Sequence, residues 1–202
     1  MELEPGGRDL ADFALAWATR QGCARPRLVA DWICRMDPIE SDLVPGALSL
    51  WAGEWDRLPA QIASRKPFDI RSSTLFNGFT ADNSLAARLA ACQEALAVAG
   101  DAERPDLVLE TRYVALVLQA LQALREVLQQ APTVDPAAPA GGVALRAAAD
   151  RFSQAMATLV SVMNERPHLG DPEKAAHAAL WQKRVTAVQD AVRQRAGGPT
   201  AP

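Results

Sequence analysis

From residue 83 to residue 196 the apolar positions recur at intervals of three and four, the period of an amphipathic helix. Asp82 or Asn83 can cap a first helix running to about Ala99, where Gly100 stops it. Asp106 opens a second, to about Gln130. Its stripe is Leu107, Val114, Leu118, Leu121, Leu124 and Leu128, widened by Val108, Val117 and Val127. Polar side chains remain mainly at Arg112, Gln119, Gln122, Glu126 and Gln129. A helix apolar over most of its circumference belongs at the centre of a fold. A third, from about Ala144 to Glu165, carries Leu145, Phe152 and Leu159 seven apart, each followed four residues later by Ala149, Met156 or Met163. That is a packing seam of heptad type. In the fourth, "GDPEK" sets the start, with Asp171 as cap, Pro172 in the first helical position and Glu173 at the positive end. Trp181, Val185, Val188 and Val192 form its buried face, and Arg193 and Arg195 suit its negative end. Gly197 terminates it, and the tail 197–202 reads as disordered.

Between the second and third helices lies "APTVDPAAPAGG", residues 131–142. Its prolines and glycines predict a flexible linker without regular structure. Extended at ~3.1 Å per residue it reaches ~37 Å, the length of a bundle, so the direction of the flanking helices stays open.

Residues 1–82 are broken by prolines. Asp9 and Asp12 start a helix to about Gln21, with Phe13, Trp17 and Arg20 on one side, and Gly22 breaks it. Pro26 begins another to about Arg35, which "MDPIESD" ends. Pro45 can open a third within "LVPGALSLWAGEWDRLP", where Leu48, Trp51 and Trp55 fall three and four apart and Leu58 continues their face. "TLFNGFTAD" holds Asn77-Gly78 between apolar residues, a possible tight hairpin. The whole predicts an all-α fold: a C-terminal four-helix bundle-like core over 83–196 with a smaller aromatic-rich region, 1–82, packed on it.

Composition sharpens that division. Residues 1–82 hold eight of the eleven aromatics and carry nine Lys/Arg against twelve Asp/Glu, whereas the rest has twelve of each. A net charge of −3 gives no general attraction to nucleic acid or anionic lipid. The acidic start "MELEPGGRD" does not read as a signal peptide, and the most apolar run, Tyr113–Leu118, is too short to span a membrane. The three cysteines, Cys23, Cys34 and Cys92, form no C-x-x-C pair and read as reduced core residues of a cytoplasmic protein. A nucleophilic Cys34 would need a base, and the only two histidines are far along the chain.

Candidate chemistry is sparse. His168, Asp171, Glu173 and His177 could converge on a metal ion, because Glu173 and His177 are one helical turn apart. Capping accounts for Asp171 and Glu173 equally well, and no metal signature is matched. No glycine-rich phosphate loop, G-x-S-x-G or H-E-x-x-H is present. "FALAWATRQGCARPRLVADWICR" can be read as helix–turn–helix, with Arg25, Arg27 and Arg35 available to a nucleic acid. A short N-terminal helix pair followed by long helices resembles the layout of TetR-type repressors. That resemblance implies DNA reading by the first helices and ligand sensing by the later ones. Asp31, Asp37, Glu40 and Asp42 oppose it, because phosphate contacts supply most DNA affinity.

The expectation is a non-catalytic helical interaction protein, an adaptor, chaperone or assembly subunit, with another protein as partner and no cofactor. A helical regulator is the alternative, and a metal-dependent enzyme built on the histidine cluster stands third. The interaction candidates are Leu48, Trp51, Trp55 and Leu58: the two rings either cover the bundle, since tryptophan is mostly buried, or anchor a partner, with Trp51 expected to behave as buried and Trp55 as the milder of the two because it lies nearer Pro59.

Overall fold

The computed structural model describes residues 9–43, 53–64, 66–81, 84–135, 141–166 and 170–197. These residues form an all-α fold of seven helices, and no strand occurs among them. The helices are α1 (Leu10–Arg20), α2 (Pro26–Leu43), α3 (Leu58–Ala63), α4 (Ser84–Asp101), α5 (Pro105–Gln130), α6 (Gly141–Asn164) and α7 (Asp171–Arg195). Single 3-10 turns stand at Trp55–Arg57, Ile70–Ser72, Thr74–Phe76 and Ala131–Thr133.

The helices pack in series. α1 lies on α2, α2 on α4, α4 on α5, α5 on α6 and α6 on α7, while short α3 packs on α7. Ion pairs fix the directions. Arg166, just past α6, pairs with Glu110 near the start of α5, and Arg151 of α6 pairs with Glu126 near its end, so α5 and α6 are antiparallel. Arg146 near the start of α6 donates to the Ala196 carbonyl beyond α7 at 3.4 Å, so α7 runs antiparallel to α6. The heptad seam of α6 is buried throughout, and so is the Trp181–Val185–Val188–Val192 face of α7.

One core joins the two compositional regions. Met36, Ile39, Leu43, Leu58, Ile62, Phe76 and Phe79 belong to the same buried cluster as Leu118, Leu121, Phe152 and Val188. A small satellite of Ala18, Val29 and Ala102 lies apart from it beneath α1.

Several local expectations are corrected. α2 does not end at Arg35 but runs through Pro38 to Leu43. Pro38 is exposed and costs one backbone hydrogen bond, while Met36, Ile39 and Leu43 are held in the core on the opposite face. Gly100 is inside α4, which ends at Asp101; the left-handed residue beyond it is Glu103, a non-glycine with φ +56°. Asn77-Gly78 makes no hairpin. Gly78, at φ +82°, turns the chain between Phe76 and Phe79 and lies so close to Asp42 that an added Cβ would meet the Asp42 Cβ at 2.9 Å. Asp42 is itself fixed by Arg88, whose Nε and Nη2 donate to one carboxylate oxygen at 2.9 and 2.6 Å.

The stretch 131–142 is not irregular throughout. Ala131–Thr133 continue α5 as a 3-10 turn, and α6 already begins at Gly141. Ala131 and Val134 are buried, and Arg195 of α7 donates to the Val134 carbonyl at 2.6 Å. At the start of α7, Asp171 is the first helical residue rather than the cap; Gly170 takes that position and its N–H donates to the Glu173 carboxylate at 3.1 Å. The helical segment Pro105–Thr133 is long and apolar enough to cross a membrane, which the short run Tyr113–Leu118 did not suggest. Its face at Val114, Val117, Leu118, Leu121, Leu124 and Leu128 is covered by the neighbouring helices.

Candidate interaction surface

Of the four residues proposed to meet a partner, Leu48 and Trp51 lie outside the described residues, and Trp55 and Leu58 are core. Trp55 is 5% exposed and Leu58 1%. Its place near Pro59 does not leave Trp55 marginal, and its ranking against Trp51 falls outside the described residues. Its ring packs edge-on to Trp181 at 5.2 Å and stacks on Phe152 at 6.4 Å, with the Arg184 guanidinium 5.4 Å from its centroid. Arg184 also lies 4.9 Å over Trp181, and burial in this nest lowers its pKa. Pro59, in the first turn of α3, starts a helix that seats Leu58 and Ile62 against the core.

The arginines of the nucleic-acid alternative are mostly committed elsewhere. Arg25 pairs with Glu103 and donates to the Asp101 carbonyl, closing the start of α2 onto the end of α4. Arg35 pairs with Asp31 at 3.1 Å and with Glu94 at 2.6 Å. Arg27 is exposed. In the proposed metal cluster, His168 lies outside the described residues and the Glu173 carboxylate is engaged at the helix start. No group of three metal-ligating side chains occurs among the described residues. Burial, then the neighbouring charges of Asp9, Asp31 and Asp37, push the Cys34 thiol above its ordinary range, which suppresses the thiolate a nucleophile needs. Burial and Glu40 push Cys92 up to about 11.

The large apolar side chains left in solvent are elsewhere. Among the described residues Phe13 is 60% exposed, Val143 of α6 59%, Trp17 40% and Leu10 37%, so that three of the four, Leu10, Phe13 and Trp17, are on α1. Spacings of three and four place them on one face of the helix. The adjoining face carries Ala14 and Ala18, both fully buried, with Ala18 in the satellite cluster beneath the helix. Small residues let α1 approach α2 closely, and the bulky aromatics are thereby turned outward. Gly22, at φ +68°, ends the helix, with the Cys23 N–H returning to the Ala18 carbonyl at 3.1 Å. Sequence periodicity had set Phe13, Trp17 and Arg20 on one side without showing which side faces water. The signal that could have done so is the alanine pair four residues apart, which marks the close-packed face.

A second surface feature is an open groove of about 480 Å³ between α5 and α6, lined by Gln119, Gln122, Glu126, Arg151, Gln154 and Thr158 among others. It is where the polar stripe of α5 reaches solvent. No family model, curated protein or solved structure matches the chain.

Proposed function

We propose that the protein is a non-catalytic helical interaction module that presents the Leu10–Phe13–Trp17 face of α1 to another protein. The observation that carries this reading is two exposed aromatic rings and a leucine aligned on one helix while the rest of the large apolar side chains are mostly covered. Tryptophan at such a position is a frequent binding hot spot, and Phe13 beside it enlarges the anchor. The test compares affinity capture by the intact chain and by a Phe13→Asp/Trp17→Asp variant at matched helix content. A partner held by the first and lost from the second supports the reading. Capture that is indifferent to both substitutions removes α1 as the interaction surface.

A further inference from the structure

We infer that the protein binds a small organic phosphate in an open cavity of about 560 Å³ beside α3, a site to which α1 contributes no residue. The cavity lies between α3 and the 3-10 turns Ile70–Ser72 and Thr74–Phe76. Leu58, Pro67 and Phe68 supply its apolar wall, and the Phe68 ring is held edge-on by Phe76 at 5.9 Å. The Gln61 side chain donates to the Lys66 carbonyl at 3.4 Å, which ties the segment after α3 back onto the helix.

Four charged side chains line this cavity, and their commitments differ. One carboxylate oxygen of Glu54 accepts from the Thr74 N–H at 2.7 Å, the Thr74 hydroxyl at 2.6 Å and the Leu75 N–H at 3.2 Å. Asp69 accepts from the Arg71 N–H at 3.1 Å and caps the turn that follows it. Both acids therefore hold the chain that walls the cavity. Arg57 and Lys66 hold nothing. Both are exposed, and neither side chain has an ion pair or hydrogen bond among the described residues, whereas Arg25, Arg35, Arg88 and Arg166 are all paired. Two cations that share a cavity repel each other, and a dianion removes that repulsion while taking donors from both. The guanidinium fork matches a phosphate, and the ammonium adds a second charge beside it. A carboxylate would balance one of the two. The apolar wall selects a phosphate ester with an organic body over the bare ion, since binding sites combine apolar lining with a few placed polar groups.

An NMR titration of the full chain with phenyl phosphate tests this, at low salt and about pH 7.4, where a monoester carries nearly two charges. Saturable amide shifts are expected at Gly53 and across residues 66–74, with a Kd on the order of 0.1–1 mM. Arg57→Gln and Lys66→Gln should each weaken binding by about ten-fold, with circular dichroism unchanged because both side chains are exposed. Arg71→Gln, exposed and outside the cavity, should change the Kd by less than about two-fold. Benzoate and phenol, with one charge and none, should bind at least about ten-fold more weakly than phenyl phosphate. The absence of saturable shifts up to ~10 mM, or shifts that survive the double variant Arg57→Gln/Lys66→Gln, overturns the site. A loss in Arg71→Gln as large as in Arg57→Gln also overturns it, by reducing it to diffuse surface charge. Benzoate bound as tightly as phenyl phosphate overturns the phosphate class, and inorganic phosphate bound as tightly overturns the role of the apolar wall.

Discussion

Trp17 and Trp55 stand in the same aromatic-rich part of the chain and end in opposite environments. Trp55 is closed in by Phe152, Trp181 and Arg184, all from the long helices. Trp17 shares its face with Phe13 and meets water, while Ala14 and Ala18 hold its helix to the body. A helical stripe of aromatics therefore says that a helix has two faces, and the size of the residues on the other face says which one is buried. Where the adjoining face is small, the neighbouring helix can come closer there, and the large side chains are left outside.

Three measurements press on that contrast. The largest effect belongs to Trp55→Ala, which opens a cavity among three buried groups and costs about 3–5 kcal/mol. For a chain of this size the melting temperature falls by roughly 6–20 °C. A loss of less than ~2 °C would place Trp55 outside the core and erase the contrast.

An intermediate effect is expected at Glu40, on α2, the helix that carries α1 on the body. Its carboxyl is pushed above the ordinary range, first by burial and then by Glu110 and Asp37, with Arg166 opposing. The folded state thus binds this proton more tightly than the unfolded chain. The stability linked to it is present at low pH and is lost as pH rises through the folded-state value. Glu40→Gln should therefore raise the melting temperature by ~1–3 °C at pH 7, and the gap should close below about pH 4. A gain that persists unchanged in acid would assign the effect to packing instead of charge.

The smallest effect is on the exposed face. Phe13→Ala and Trp17→Ala should each change stability by under ~0.5 kcal/mol. Scanning calorimetry that showed Trp17→Ala as costly as Trp55→Ala would mean that α1 is covered in the isolated chain.

Much of the fold was legible in the sequence because the long helices repeat one period over many turns. The α6 seam from Leu145 to Met163 and the α7 face from Trp181 to Val192 were predicted residue by residue and are buried as a unit. Ends were harder. Pro38 reads as a helix stop, yet Ile39 and Leu43 beyond it bury enough surface to keep the backbone helical. Gly100 reads as a stop too, but the helix runs one residue past it, to Asp101, before Glu103 takes the left-handed conformation. The surface was the least legible. Trp55 stayed open between core and partner because its stripe fixes a face but not what the face meets, and its neighbours Phe152 and Trp181 are remote in sequence. Phe13 and Trp17 were placed on one side of α1, while their exposure depends on α2, which no local pattern describes.

The Trp55 nest also constrains the order in which the chain becomes itself. Trp181 is synthesised about 125 residues after Trp55, which at ~5–20 residues per second is a wait of roughly 6–25 s. Until Phe152 is made, 97 residues after it, Trp55 has neither ring to close on, and until Trp181 follows its nest stays open, so a nascent chain displays two aromatic surfaces where the finished protein displays one. Vectorial synthesis thus gives this protein a period of adhesiveness that ends when α7 arrives.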